Sequence, residues 1–153
     1  MKHKAALEVY GVVCQALDEM KWKYQRHEEK LVVTFGVSGE DMPMDFLIHV
    51  DEERLVVRLQ SRIPVTVPEE KRLEFNAAIS HASYALNYGG FDYDFSKGTV
   101  IYRHTITFLG SKLRTDAIKV LIHSAVATVD KYNDRLFALS KGFLTLEKFL
   151  NEK

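Results

Sequence analysis

"LVVTFGVSGEDMPMDFLIHVDEERLVVRLQS", residues 31–61, decides the fold. Apolar side chains recur there at every second position: Leu31, Val33, Phe35 and Val37, then Met44, Phe46, Ile48 and Val50, then Leu55, Val57 and Leu59. A period of two marks strands with one buried face. An even number of residues separates each set from the next. All three sets therefore stay on one side as the chain doubles back in an antiparallel meander. The predicted strands are Leu31–Val37, Met44–Asp51 and Arg54–Ser61. A strand over Trp22–His27 precedes them, with Trp22 and Tyr24 on the same side. Lys23, Thr34, Asp45, His49, Arg58 and Gln60 point the other way, as in a sheet with one wet face.

Before the strands the period is that of a helix. Ala6, Leu7, Tyr10, Val13, Leu17 and Met20 form one stripe, with Cys14 beside it. After them, Pro64 suits an edge or a bulge, and Pro68 suits the first turn of a helix, where its missing N–H costs nothing. That helix extends to about Asn87. Phe75, Ala78, Ile79, Ala82 and Leu86 form one apolar stripe, and Leu73, Ala77 and Tyr84 form a second. A helix apolar on two sides needs two packing partners. The last long helix carries Ile118, Leu121, Ile122, Ala125, Val129, Tyr132, Leu136 and Leu139 on its buried face. Thr115 is its expected N-cap, Gly142 its stop, and "FLTLEKFLNEK" a short terminal helix.

The stretch most like a chemical site is "NYGGFDYDFSKGTVIYRH", residues 87–104. As a calcium loop starting at Asp92 it needs glycine at Lys97 and a bidentate glutamate at Arg103, and has neither. As a phosphate loop it matches no glycine fingerprint and leads into a strand, where such a loop requires a helix. It reads instead as a helix stop followed by a hairpin. A two-residue turn at Lys97-Gly98 pairs Phe95 with Val100, Tyr93 with Tyr102 and Phe91 with His104, and sets Asp92 opposite Arg103.

Other chemical candidates fail on residue type or spacing. "HEEKL" at His27 lacks the second histidine of a zinc-protease helix, and "GVSGE" at Gly36 lacks the closing glycine of a nucleophile elbow. The six histidines show no metal-ligand spacing. His104 lies in an apolar register and reads as a core histidine bonded to a backbone or tyrosine group. Asp92 and Asp94 share a strand face but have Arg103 opposite, so nothing raises a pKa for acid catalysis.

The chain has 153 residues, with 21 Lys plus Arg against 21 Asp plus Glu. This is the length of one domain, expected over 1–153. Neutral balance argues against nucleic-acid binding, which draws on excess positive charge. Cys14, the one cysteine, allows no internal disulfide, which fits a reducing compartment. No apolar run reaches the ~18 residues of a membrane span, and the expected location is the cytoplasm.

The resulting order is α-β-β-β-β-α-β-β-α: an α+β chain with an antiparallel sheet and helices on one face. In this setting "VPEEKRLEFNAAISHASYALNYGGFDYDFSKGTVIYRHTI", Val67 to Ile106, resembles the YbjN-type family, whose members are described as bacterial sensory transduction regulators. The shared features are Pro68, Gly90-Phe91, Asp92 and Asp94, Gly98 and Tyr102-Arg103, and the element order matches from about Ala5 to Ser140. The resemblance implies a fold like that of type III secretion chaperones, often dimeric, binding other proteins, with no catalytic residues and no cofactor.

The expected function is a non-enzymatic protein-binding module, chaperone-like or regulatory. The expected partner-binding face is the wet side of the sheet, with Val32, Leu47, Val56 and Ile101 among His49, Arg58 and Arg103, the first three lining up across the meander. The expected homodimer face is Leu73, Ala77 and Tyr84. The alternative is a small-ligand sensor with an aromatic pocket between sheet and helices near Trp22, Tyr93, Tyr102 and His104.

Overall fold

The structure, a computed structural model, describes residues 1–152. The elements run α1 (Lys2–Glu19), β1 (Gln25–His27), β2 (Val32–Ser38), β3 (Pro43–Asp51), β4 (Val56–Thr66), α2 (Arg72–Tyr84), β5 (Gly90–Asp94), β6 (Thr99–Thr107), α3 (Thr115–Lys141) and α4 (Leu146–Asn151). The six strands form one antiparallel sheet in the order β1-β2-β3-β4-β6-β5. This is the expected α+β class and element order, with α4 as the short terminal helix.

Parity decides which side of the sheet is covered. Val33, Phe46, Ile48, Val57, Leu59, Val100 and Tyr102 are all buried on one face. Helix α3 lies over β4, α1 packs against α3 and β3, α2 packs against β5, and α4 bridges α2 and α3. Every apolar residue expected on the buried face of α3 is buried. No helix among the described residues is long and apolar enough to cross a membrane.

Four local expectations are corrected. The first strand begins only at Gln25, because α1 ends in a Schellman closure: Lys21 has φ 60°, its N–H reaches the Asp18 carbonyl, and Trp22 N–H reaches the Leu17 carbonyl. Trp22 is thereby committed to the turn and packs its ring on Phe35 and His123. In α1 the buried stripe is Ala6, Val9, Tyr10, Val13, Cys14, Ala16 and Leu17, whereas Leu7 is exposed. Thr115 is the first helical residue of α3; Arg114 occupies the cap and makes no side-chain capping bond. Strand β4 continues past Ser61 through Pro64, where its pairing with β6 shifts register between Arg62 and Thr66, so the proline sits in an irregular stretch.

The hairpin register is also corrected. Phe91 pairs with Tyr102, Asp92 with Ile101 and Tyr93 with Val100, leaving the four residues Phe95–Gly98 as the loop. The reason is Asp94. Its carboxylate accepts the Ser96 N–H at 3.0 Å, the Ser96 hydroxyl at 2.6 Å and the Lys97 N–H at 3.3 Å, which closes an Asx-type turn earlier than a two-residue loop would. Gly98 completes the loop at φ +71°. A slip of two residues leaves the faces unchanged. Asp92 still pairs with Arg103, diagonally, at 2.7 Å.

Candidate partner-binding faces

The face of the sheet opposite the helices is open. Cross-strand rows define its surface. One row runs His27, Val32, His49, Arg58, Thr105. The next runs Gln25, Thr34, Leu47, Gln60, Arg103. Val56 lies in a third row between Asp51 and Thr107, and Ile101 in a fourth between Arg62 and Asp92. Val32, Leu47 and Val56 therefore do not line up. Each stands in its own row, flanked by polar side chains, because Val32 pairs with His49, two residues from Leu47, and Leu47 pairs with Gln60, four residues from Val56. Val32, Leu47 and Val56 are half-buried among those neighbours, and Ile101 is more exposed. The surface is mixed and has no continuous apolar stripe.

Its charges are partly tied down. Asp51, buried at the β3–β4 turn, accepts from the N–H groups of Glu53 and Arg54 and from the Arg54 guanidinium, each at 3.0 Å. The Arg54 backbone bond, foremost, holds its carboxyl below the usual range. Arg58 lies 3.7 Å from the same carboxylate. Exposed pairs such as Arg103–Asp92 contribute at most about 1 kcal/mol each, so these contacts orient side chains more than they hold the fold.

Across β1, β2, β3 and β4 the open face holds a concavity of about 670 Å³. Leu47 and the side-chain-free Gly36 contribute to its floor, and Gln25, Thr34, Asp45 and Gln60 supply polar groups. Lys23 and Arg62 also line it. Of these residues, Gln25, Gly36 and Arg62 escaped the reading of the sequence. Extending the parity of β1, β2 and β4 places all three on this face, but the concavity they line depends on four strands lying side by side, which parity does not encode.

The second stripe of α2 is uncovered. Leu73 is 76% and Tyr84 92% exposed, and Ala77 is exposed between them; neither α1 nor α3 reaches over them. Tyr88, Phe95 and Phe143 add exposed apolar area on segments neighbouring α2 in the chain or packed beside it. The free edge of β5 is partly blocked, because the Ser83 hydroxyl of α2 accepts the Phe91 N–H at 3.1 Å.

The aromatic residues of the alternative reading are not brought together. Trp22, ahead of β1, and Tyr93, on β5, lie at opposite edges of the sheet. Tyr93 packs on Phe75 and donates to the Arg72 carbonyl. Tyr102 packs on Phe91, and its hydroxyl donates to the Tyr88 carbonyl at 3.0 Å. His104 faces the helix side beside the Tyr88 ring, 5.8 Å away. Its Nδ1 is buried with no hydrogen-bond partner among the described residues, contrary to the expected bonded histidine, and burial lowers its pKa. No group of three or more His, Cys, Asp or Glu is placed to hold a metal among the described residues.

The sequence matches no family profile and no curated protein sequence. Solved structures do resemble the fold. The HopA1–SchA chaperone–effector complex contains a chain superposing with a TM-score of 0.58 at 11% identity, covering 86% of this chain and 97% of that one. The ExsC–ExsE complex gives 0.57 at 11%, covering 88% and 98%. YbjN from E. coli gives 0.58 at 7%, covering 88% and 92%. What this protein shares with all three, across most of its length, is the fold: an open antiparallel sheet with its helices on one side.

Proposed function

We propose that the protein is a non-enzymatic protein-binding module, chaperone-like or regulatory, acting in the cytoplasm with the whole chain 1–153 as one unit. The observation that carries this reading is the open sheet face. Helices cover one side only, and the other presents a broad concavity of amides, a hydroxyl, separated charges and isolated aliphatic groups. Such a surface suits an extended polypeptide segment, whose backbone needs hydrogen-bonding groups and whose side chains alternate in character. Two of the fold neighbours are complexes of two proteins, one of them described as a chaperone with its effector, which supports the same reading.

The second surface has a different role in this proposal. The α2 stripe of Leu73, Ala77 and Tyr84 is exposed and largely apolar, which suits a second copy of the chain and makes the protein a homodimer. Sedimentation across a dilution series tests this; a monomer at micromolar concentration, unchanged by Leu73→Asp with Tyr84→Asp, removes the dimer.

Affinity capture from the native cell with mass spectrometry identifies the partner. Leu47→Asp with Val56→Asp is expected to preserve the circular dichroism spectrum and abolish capture. A folded double variant that still captures the partner rules out the open face as the binding site.

A further inference from the structure

Resting on the reading of the open face as a polypeptide-binding surface, we infer that its concavity selects an extended segment with two acidic residues four positions apart and a non-acidic, preferably apolar, residue midway between them. Lys23 and Arg62 both line the concavity, both are exposed, and neither has a carboxylate within 4.0 Å among the described residues. The other strand-borne arginines of this face differ: Arg58 lies against Asp51 and Arg103 against Asp92. On this face, Lys23 and Arg62 at the concavity are thus the cations left without an ion pair among the described residues.

Their separation sets the spacing. Lys23 enters from the chain just ahead of β1 and Arg62 from β4, with β2 and β3 between them. Three inter-strand steps of about 4.8 Å span roughly 14 Å. An extended segment crossing the strands advances about 3.3 Å per residue, so about four residues bridge the two cations. Residues four apart on an extended chain point to the same side, and so does the one midway between them. That middle side chain meets the centre of the floor, where Leu47 offers apolar surface and Gly36 leaves room. Asp45 lies there too, with no cation within 4.0 Å among the described residues, and disfavours a third acid at the middle position. Gln25 and Gln60 can bond the backbone of the crossing segment.

The test uses three synthetic peptides, alike in length and flanks, with the cores Glu-Ser-Leu-Ser-Glu, Lys-Ser-Leu-Ser-Lys and Glu-Ser-Glu-Ser-Glu. Each is titrated into the full chain, and the backbone amide resonances of Thr34, Gly36 and Leu47 are followed by NMR. The first peptide is expected to shift them, to bind at least about fivefold more tightly than the second, the scale of two exposed ion pairs gained or lost, and to bind more tightly than the third, whose added charge faces Asp45. Lys23→Glu with Arg62→Glu is expected to reverse the order of the first two. If all three peptides shift these amides equally, or the double variant fails to reverse the order, the charge pattern is overturned while the open face stands as a peptide site. If no peptide moves any open-face amide, the reading of the face falls and this inference with it.

Discussion

Replacing Gly98 by alanine separates two reasons for a glycine that usually act together. Gly98 has φ +71°, and so does Gly110. At both positions an alanine takes on the left-handed backbone, costing about 1–2 kcal/mol. The surroundings differ. Around Gly110 a Cβ meets nothing within 4 Å. At Gly98 it falls 2.4 Å from the Val67 carbonyl oxygen and 3.0 Å from the Val67 nitrogen. Both are backbone atoms and cannot swing aside. Relief requires moving the hairpin loop away from Val67, whose N–H donates to the Gly98 carbonyl at 2.8 Å. Val67 is fully buried, so losing that bond strands a donor at a further cost of about 1–3 kcal/mol. Gly98→Ala is therefore expected to cost about 2–5 kcal/mol in all, against about 1–2 for Gly110→Ala. Urea unfolding of both variants measures the difference, with an unchanged m-value showing that the midpoint shift reports stability. Equal losses from the two substitutions would show that the loop does not press on Val67, and would refute the placement of the hairpin against the start of the α2 segment.

Acid should weaken the fold in two separate windows. The His104 pKa is lowered from 6.5 by burial, so stability is full above that value and falls as pH drops through 6.5 toward the folded-state pKa; His104→Gln should flatten this limb of a melting-temperature profile. Asp51, held below 3.8 by its bonds to the turn, contributes stability that disappears only as pH falls below that value, a limb that Asp51→Asn should remove. Asp134 behaves oppositely: burial and the neighbouring Asp41 raise its pKa above 3.8, so its ionisation at neutral pH opposes folding, and Asp134→Asn should raise the melting temperature at pH 7. Calcium or zinc at 100 times a tight dissociation constant would add roughly 2.7 kcal/mol to the native state; no such melting shift is expected, and one abolished by Asp92→Ala with Asp94→Ala would restore the ligand-loop reading of the hairpin.

The fold was largely legible in residues 31–61 because parity is a property of the chain itself. Side chains alternate across a strand whatever it pairs with, so Val33, Ile48, Val57 and Leu59 had to share a face, and their burial follows. The α3 stripe was legible for the same reason at the helical period. Even the slip in the hairpin left every face intact, since it moved the register by two.

What periodicity could not decide is how positions on different elements meet. Val32, Leu47 and Val56 share a face by sequence, but pairing offsets place them in separate rows among polar neighbours. Leu7 continues the period of α1 yet lies outside its buried stripe, because what covers a helical residue depends on where neighbouring elements sit. The pressure of Val67 on Gly98 and the concavity that includes Lys23 and Arg62 depend on contacts between segments far apart in the chain, whereas the turn closed by Asp94 is local, bonded to Ser96 two residues on. Alternation along a strand is local geometry, written residue by residue; the approach of one element to another is set by packing, which the whole chain decides at once.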